Sequence, residues 1–352
     1  MIEKLTRKNL KSFKPYDALE VKCDVKLDAN ENSMNIKEDI LNKIVKKIMT
    51  LNFNRYPDPA SRKVCRLYAD YAGADAKNVM AGNGSDELIQ IIVSTFVDRG
   101  ESIMCVNPDF SMYKNYAKLA GGRAKVFELN EDFSLDVDGI IDSVNKEDVK
   151  VLFLSNPNNP VATVIKRENI LKIVDKCNSI VVIDEAYIEF YGNSVIDEIN
   201  NYENLIVLRT CSKAVAMAAI RLGFLITNYR LLQEIKKVKP PFNVNSVTQA
   251  IGEVILENTG YIREYTEKIL QERKFLFDEL KTIDGLEVYG THSNFVIMRL
   301  KNSKQVYEGL LQNGISVRNY LNDARLSNFI RITVGSRKEN ELTIECLKKF
   351  IK

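Results

Sequence analysis

Val149-Lys150-Val151-Leu152-Phe153-Leu154-Ser155-Asn156-Pro157, Ser179-Ile180-Val181-Val182-Ile183-Asp184-Glu185-Ala186-Tyr187 and Leu205-Ile206-Val207-Leu208-Arg209-Thr210-Cys211-Ser212-Lys213 set the architecture of this chain. Each opens on a short apolar run and closes on polar residues of a different chemical type. Runs of this length, rich in β-branched residues, read as strands buried on both faces, the setting of a parallel sheet. The steps Asn156 to Asp184 and Asp184 to Lys213 are 28 and 29 residues, about one βα repeat. Ligands of open α/β sheets bind beyond the carboxyl ends of the strands. An amide, a carboxylate with a phenol nearby, and a lysine are therefore expected to meet in one pocket.

The same texture extends outward from these stretches. Ile36 to Met49 places Ile36, Ile40, Leu41, Ile44, Val45 and Ile48 on one helical face. The turn-rich Arg55-Tyr56-Pro57-Asp58-Pro59-Ala60-Ser61 follows, then a helix through Val64, Leu67, Tyr68 and Tyr71. Strands and helices then alternate to about residue 230, as in the strand Ser102–Val106 and the helix Ser111–Leu119. After Pro240-Pro241 a long helix is expected from Val247 to Leu280, then a cluster of strands and a closing helix from Lys338 to Phe350. The expected fold class is α/β. A large, doubly wound, mainly parallel domain spans residues 36–240. Residues 1–35 form an N-terminal arm, which we group with a smaller α+β domain at 241–352.

Composition narrows the function classes. The chain has 352 residues, more than one core usually serves, with 45% apolar and 28% charged side chains. The net charge of +3 is too balanced for nucleic acid or an anionic membrane surface. Six cysteines are scattered without zinc spacing, and with a single histidine, His292, no metal site is expected. The N-terminus lacks the apolar core of a signal peptide, and a cytoplasmic location is expected.

Lys213 precedes Ala214-Val215-Ala216-Met217-Ala218-Ala219-Ile220, a run too apolar for a solvated face. Burial lowers a lysine's pKa and frees the neutral amine for Schiff-base chemistry, although a buried structural ion pair is the other reading. Asp184 ends an Ile-Val-Val-Ile strand, where a carboxylate needs a cationic partner or serves as a helix N-cap. A pyridinium nitrogen is such a cation, and Tyr187 and Asn156 could both bond a ring hydroxyl. Gly82-Asn83-Gly84-Ser85-Asp86-Glu87 opens an apolar helix, a setting that binds anions, though the acidic pair also suits the helix dipole with no ligand. Arg221, Thr210 and Ser212 could add charged and hydroxyl donors to a phosphate. Phe110 could stack on a ring or simply pack in the core. Together these groups suit pyridoxal 5'-phosphate.

With those residues in place, the chain resembles the fold-type I pyridoxal-phosphate aminotransferases, and among them the histidinol-phosphate aminotransferases. The stretches that carry the likeness are Leu27-Asp28-Ala29-Asn30-Glu31-Asn32, Arg55-Tyr56-Pro57-Asp58-Pro59, Gly82-Asn83-Gly84-Ser85-Asp86-Glu87, Ser155-Asn156-Pro157-Asn158-Asn159-Pro160, Asp184-Glu185-Ala186-Tyr187, Ser212-Lys213, Arg221-Leu222-Gly223 and Arg331-Ile332-Thr333-Val334-Gly335. The resemblance implies that Lys213 bonds the cofactor and moves the proton between substrate Cα and cofactor C4′. It implies Asp184 on the pyridinium, Tyr187 and Asn156 on the ring oxygen, and Phe110 stacked on the ring. Ser85, Asp86, Thr210, Ser212 and Arg221 would hold the phosphate, with Tyr56 reaching the neighbouring subunit's phosphate in a homodimer. Arg331 would bind the substrate's anionic end, Arg318 would add phosphate contacts, and Tyr16 and Asn30 would close over the substrate.

Val161-Ala162, Met217-Ala218-Ala219, Ser33 and Phe110 depart from the usual family pattern, and none of them removes a reacting group. The implied reaction is transamination between L-histidinol phosphate and 2-oxoglutarate in histidine biosynthesis. A threonine-phosphate decarboxylase-like lyase and an aromatic aminotransferase use related sites, and remain the alternatives.

Overall fold

The computed structural model describes residues 2–7, 9, 10, 13 and 23–351. Tyr16 lies outside the described residues. Twelve strands occur among those described: β1 (Val25–Leu27), β2 (Val79–Asn83), β3 (Ser102–Asn107), β4 (Arg123–Glu128), β5 (Val149–Ser155), β6 (Ile180–Asp184), β7 (Leu205–Thr210), β8 (Leu222–Thr227), β9 (Glu287–Val288), β10 (Phe295–Arg299), β11 (Ile315–Asn319) and β12 (Phe329–Thr333). Seven of them form one sheet in the order β2-β8-β7-β6-β5-β3-β4. Strands β7, β6, β5, β3 and β4 run parallel, while β8 is antiparallel to both of its neighbours.

Side-chain alternation explains why the three opening stretches form the middle of this sheet. Leu152, Leu154, Val181, Ile183 and Val207 enter one core, whereas Val151, Phe153, Val182, Ile206 and Leu208 enter the other. Both faces are apolar, so each strand is covered twice. The helices Gly84–Phe96, Met112–Ala120 and Tyr229–Lys236 supply buried side chains to the second core. The first core continues without a break into the C-terminal sheet through Phe295, Ile297, Ile330 and Ile332.

That second sheet has the order β1-β11-β12-β10-β9. Strand β1, from the N-terminal arm, pairs in parallel with β11, so the arm is stitched to the C-terminal unit before it passes the large sheet. The long helix expected from Val247 to Leu280 is instead two, Ser246–Leu256 and Gly260–Leu280. Asn258 donates its side-chain amide to the Val254 carbonyl at 2.7 Å, satisfying a helix-end acceptor where the first helix stops. Gly252 on the first of these helices packs so close to Leu222 that a Cβ would lie 2.7 Å from its side chain. This helix, although it follows residue 240, therefore rests against the large sheet.

Strand direction places the chemistry. Ser155 pairs with Asp184 and Asp184 with Leu208, so β5, β6 and β7 end side by side. The antiparallel β8 starts where its neighbours finish, with Gly223 opposite Thr210 on one side and Gly82 on the other. Arg221 and the Gly84–Ser85 turn thereby reach the same edge.

Candidate active site

Asp184 is buried at the tip of β6, and two donors engage it. The Tyr113 hydroxyl donates to one oxygen at 2.8 Å and the Ala186 N–H to the other at 3.1 Å. Burial raises the carboxyl to about 6, against the pull of those hydrogen bonds. A carboxylate in this position is primed for a cation. Sequence reasoning misses Tyr113, which reads as an ordinary position in the helix after Phe110. The one signal that could have found it is its phenol, since a buried tyrosine hydroxyl needs a partner.

Lys213 is half-buried, and its ammonium donates to the Ala29 carbonyl of the arm at 2.8 Å. Desolvation lowers its pKa to about 8, with Arg331 and Arg221 pushing the same way and Glu31 and Asp86 opposing. Its Nζ lies 6.0 Å from the centre of the Tyr187 ring. The Tyr187 hydroxyl accepts from the Asn30 side chain at 2.8 Å. Asn30 adopts a left-handed backbone (φ 54), held by its N–H to Thr333 at 3.0 Å and by its carbonyl to Asn294, also at 3.0 Å. The arm residue is thus locked between both sheets, within reach of the lysine.

A cluster of hydroxyl and charged groups at the β2–β8 edge acts on Lys213, through Arg221 and Asp86. Thr210 donates its hydroxyl to Ser212 at 3.1 Å, and both are buried. Arg221, itself left-handed (φ 52), reaches Ser212 at 3.4 Å and the Asp86 carboxylate at 3.6 Å. Burial raises the Asp86 pKa, and one of its oxygens has no partner among the described residues. Ser85 and Asp86 stand in the first turn of the helix Gly84–Phe96, where N–H groups are free for an anion. A Cβ on Gly223 would lie 2.5 Å from the Ser85 nitrogen, so only glycine lets β8 approach this turn. Gly223→Ala must displace backbone and is expected to weaken phosphate binding about tenfold or more, checked by titrating the cofactor-free protein with inorganic phosphate.

The opposite wall comes from the small sheet. Arg331 is buried, donating to the Asn159 side chain and to the Asp28 carbonyl, each at 2.6 Å. Its guanidinium lies 5.0 Å from the Phe295 ring centre, and its Nε–H has no partner among the described residues. Arg318 is the direct cross-strand partner of Arg331. Like charges opposed on one face of a sheet repel, and an anion beside the pair would relieve that repulsion.

The other expected residues are placed less directly. Asn156 is buried beside Asp184, and its N–H donates to the Asp184 carbonyl at 2.8 Å. Its side chain is occupied by Ile165, accepting from the backbone N–H at 2.8 Å and donating to the carbonyl at 3.3 Å, which leaves one amide hydrogen without a partner among the described residues. Phe110 meets Tyr113 edge-on at 5.6 Å. Tyr56 is 82% exposed and stacks on Phe242 at 4.6 Å.

These residues fit pyridoxal phosphate by donor chemistry: a buried carboxylate for the ring nitrogen, a depressed amine, and a glycine-lined anion cradle with an arginine. The chain matches the model of the class I and II aminotransferases over residues 23–347. It is 56% identical over 352 residues to the histidinol-phosphate aminotransferase of Clostridium kluyveri, with 100% of each chain covered. Among solved structures it resembles the histidinol-phosphate aminotransferase from Clostridium acetobutylicum, with a TM-score of 0.84 and 31% identity, covering 92% of this chain and 98% of that one. The fold is shared with the Sinorhizobium meliloti histidinol-phosphate aminotransferase in complex with pyridoxal-5'-phosphate, at a TM-score of 0.87 and 24% identity, over 94% of this chain and 91% of that one. The chain belongs to the class I and II aminotransferases, and within them to the histidinol-phosphate aminotransferases.

Proposed function

We propose that this protein transfers an amino group between L-histidinol phosphate and 2-oxoglutarate, using pyridoxal 5'-phosphate. The observation that carries the reading is Arg318 opposed to Arg331 on the small sheet, with a buried, unpartnered Nε–H on Arg331 among the described residues. Two guanidinium groups suit a dianionic phosphate, which accepts paired charge-assisted bonds. Full-length relatives of the same activity support it.

The cofactor, when bound, supplies an electron sink for the charge left at the substrate carbon and a carbon to receive the amino group. Lys213 would act as the base and acid, taking the proton from substrate Cα and returning one at cofactor C4′. Its lowered pKa leaves a usable fraction of neutral amine near neutrality. Asp184 holds the proton on the ring nitrogen, and Tyr113 orients Asp184 from behind. Tyr187 and the remaining amide hydrogen of Asn156 serve the ring oxygen, and Phe110 covers the ring face. Thr210, Ser212, Ser85 and Arg221 bind the phosphate. Asp86 contributes its backbone N–H, since its carboxylate would repel the phosphate. Asn30 excludes water from the substrate side.

The substrates are small molecules, and the active unit is a homodimer in a cytoplasmic setting. Among the described residues no helix is long and apolar enough to cross a membrane. Leu41, Val45 and Met49 lie along one exposed face of the helix Glu38–Ile48 and just beyond it, 45%, 52% and 81% exposed, and Phe53 and Tyr56 in the turn that follows are exposed too. A second copy would cover this face and bring Tyr56 to the partner's phosphate. Mixed dimers of Tyr56→Phe and Lys213→Ala chains carry one wholly wild-type set of site residues. They are expected to retain cofactor at that site better than Tyr56→Phe homodimers. Retention that averages the two parents would place Tyr56 within its own chain.

Specificity is tested at the arginine pair. Arg331→Ala is expected to lower kcat/KM for glutamate and histidinol phosphate alike, by roughly 10- to 1,000-fold. Arg318→Ala should penalise histidinol phosphate far more than glutamate. Equal losses would favour an aromatic aminotransferase, and carbon dioxide release with threonine phosphate would favour the lyase.

A further inference from the structure

Arg331 is held by two uncharged acceptors, the Asp28 carbonyl and the Asn159 side-chain oxygen. Neither is fixed by its own bond to Arg331, so the position of the guanidinium depends on what fixes them. Asn159 belongs to the loop after β5, and its backbone N–H donates to the Ser155 hydroxyl at 3.3 Å. That hydroxyl donates in turn to the Asp109 carboxylate. The Ser155 N–H points at the other Asp109 oxygen at 3.5 Å, so one carboxylate engages both hydrogen-bond donors of Ser155. A continuous path of polar contacts runs from the loop after β3, across the end of β5, to the small sheet.

We propose that Asp109 is a positioning residue for Arg331, acting through Ser155 and Asn159 to set where the substrate's anionic end is bound. The inference rests on the proposed role of Arg331 as the substrate's anion site.

The arrangement is more than a loop tie. Asn158 already fastens the same two loops, donating its side-chain amide to the Pro108 carbonyl at 3.2 Å. Asp109 adds a carboxylate in a setting that disfavours its charge, since burial pushes its pKa up to about 7. Either protonation form keeps an acceptor for Ser155. Among the described residues Asp109 makes no hydrogen bond to Lys213 or Asp184, but it accepts from the Phe110 N–H at 2.8 Å and it feels the charge of Asp184, so the binding of the anion, not the rate alone, is what separates a role at Arg331 from one at the ring.

The test uses the holoenzyme. Asp109→Ala, Ser155→Ala and Asn159→Ala are compared with wild type by steady-state kinetics and by calorimetric titration with 2-oxoglutarate. Asp109→Ala is expected to raise KM for 2-oxoglutarate and histidinol phosphate, and Kd for 2-oxoglutarate, about tenfold, with kcat changed by less than about threefold. Asp109→Asn keeps an acceptor and should restore most of the affinity. In the Asn159→Ala background, Asp109→Ala should add almost nothing, because the path is already cut. Should Asp109→Ala not fold, Ser155→Ala carries the same expectation. A fall in kcat with KM and Kd unchanged, or additive losses in the double variant, would overturn the proposal. Wild type that binds 2-oxoglutarate yet does not turn over histidinol phosphate would instead overturn the proposed function and leave the Asp109 result standing.

Discussion

Lys213→Ala is expected to abolish transamination, lowering the rate by about four orders of magnitude or more. Lys213 has its pKa lowered to about 8 at the junction of the two sheets and the arm. Losing it removes both the covalent attachment of the cofactor and the base that moves the proton. The fold should survive, because the flanking Ala214 and Val215 keep their buried places and Tyr261 still donates to the Val215 carbonyl at 2.9 Å. The variant should bind pyridoxal phosphate without a covalent bond and release it after borohydride treatment and denaturation. Label retained on a different lysine would overturn the assignment. In the wild type the pH dependence has a definite sign. Desolvation and the positive charges of Arg331 and Arg221 favour the neutral amine, so covalent uptake by the cofactor-free protein should rise as pH passes through about 8. An ordinary lysine would show that rise near its usual value of 10.5.

Asp184→Asn should cost turnover roughly a thousandfold or more. An amide cannot keep a proton on the ring nitrogen, so the charge left after Cα deprotonation loses its sink. The substitution is mild for the fold. The Asn oxygen can still accept from the Ala186 N–H, and the Tyr113 hydroxyl can accept as well as donate, so both existing contacts have a counterpart. Circular dichroism and cofactor retention should therefore stay close to wild type while single-turnover rates collapse. Near-normal turnover would reduce Asp184 to a cap on the residues that follow β6.

Lys213, Asp184 and the Gly82–Glu87 turn are legible in the amino-acid sequence because each breaks a local rule. A lysine before an unbroken apolar run, a carboxylate closing an Ile-Val-Val-Ile strand, and glycines before an apolar helix all conflict with plain packing. Such conflicts concentrate at sites of function. The parallel strands are equally legible, since burial on both faces writes itself as continuous apolar runs. Tyr113 and Asp109 are not. Nothing local distinguishes Tyr113 from a core tyrosine, and its meaning depends on a carboxylate 71 residues away. Asp109 matters only because Ser155 and Asn159, far along the chain, are folded against it. The break at Asn258 does have a local signal, the breaker run Asn258-Thr259-Gly260, and the Asn258 side chain bonds the Val254 carbonyl where the first helix stops.

The layered α/β architecture, the nature of the reacting groups and their order along the chain follow from local periodicity and local chemical conflict, and are therefore written in the amino-acid order. Other features exist only in the folded chain. Strand β8 runs against its neighbours and so delivers Arg221 to the edge where β5, β6 and β7 end. Arg318 faces Arg331, and the arm crosses to present the Ala29 carbonyl and Asn30 to Lys213 and Tyr187. No local pattern specifies these, because strand direction, register and the docking of a distant segment are set by the free energy of the whole packed core.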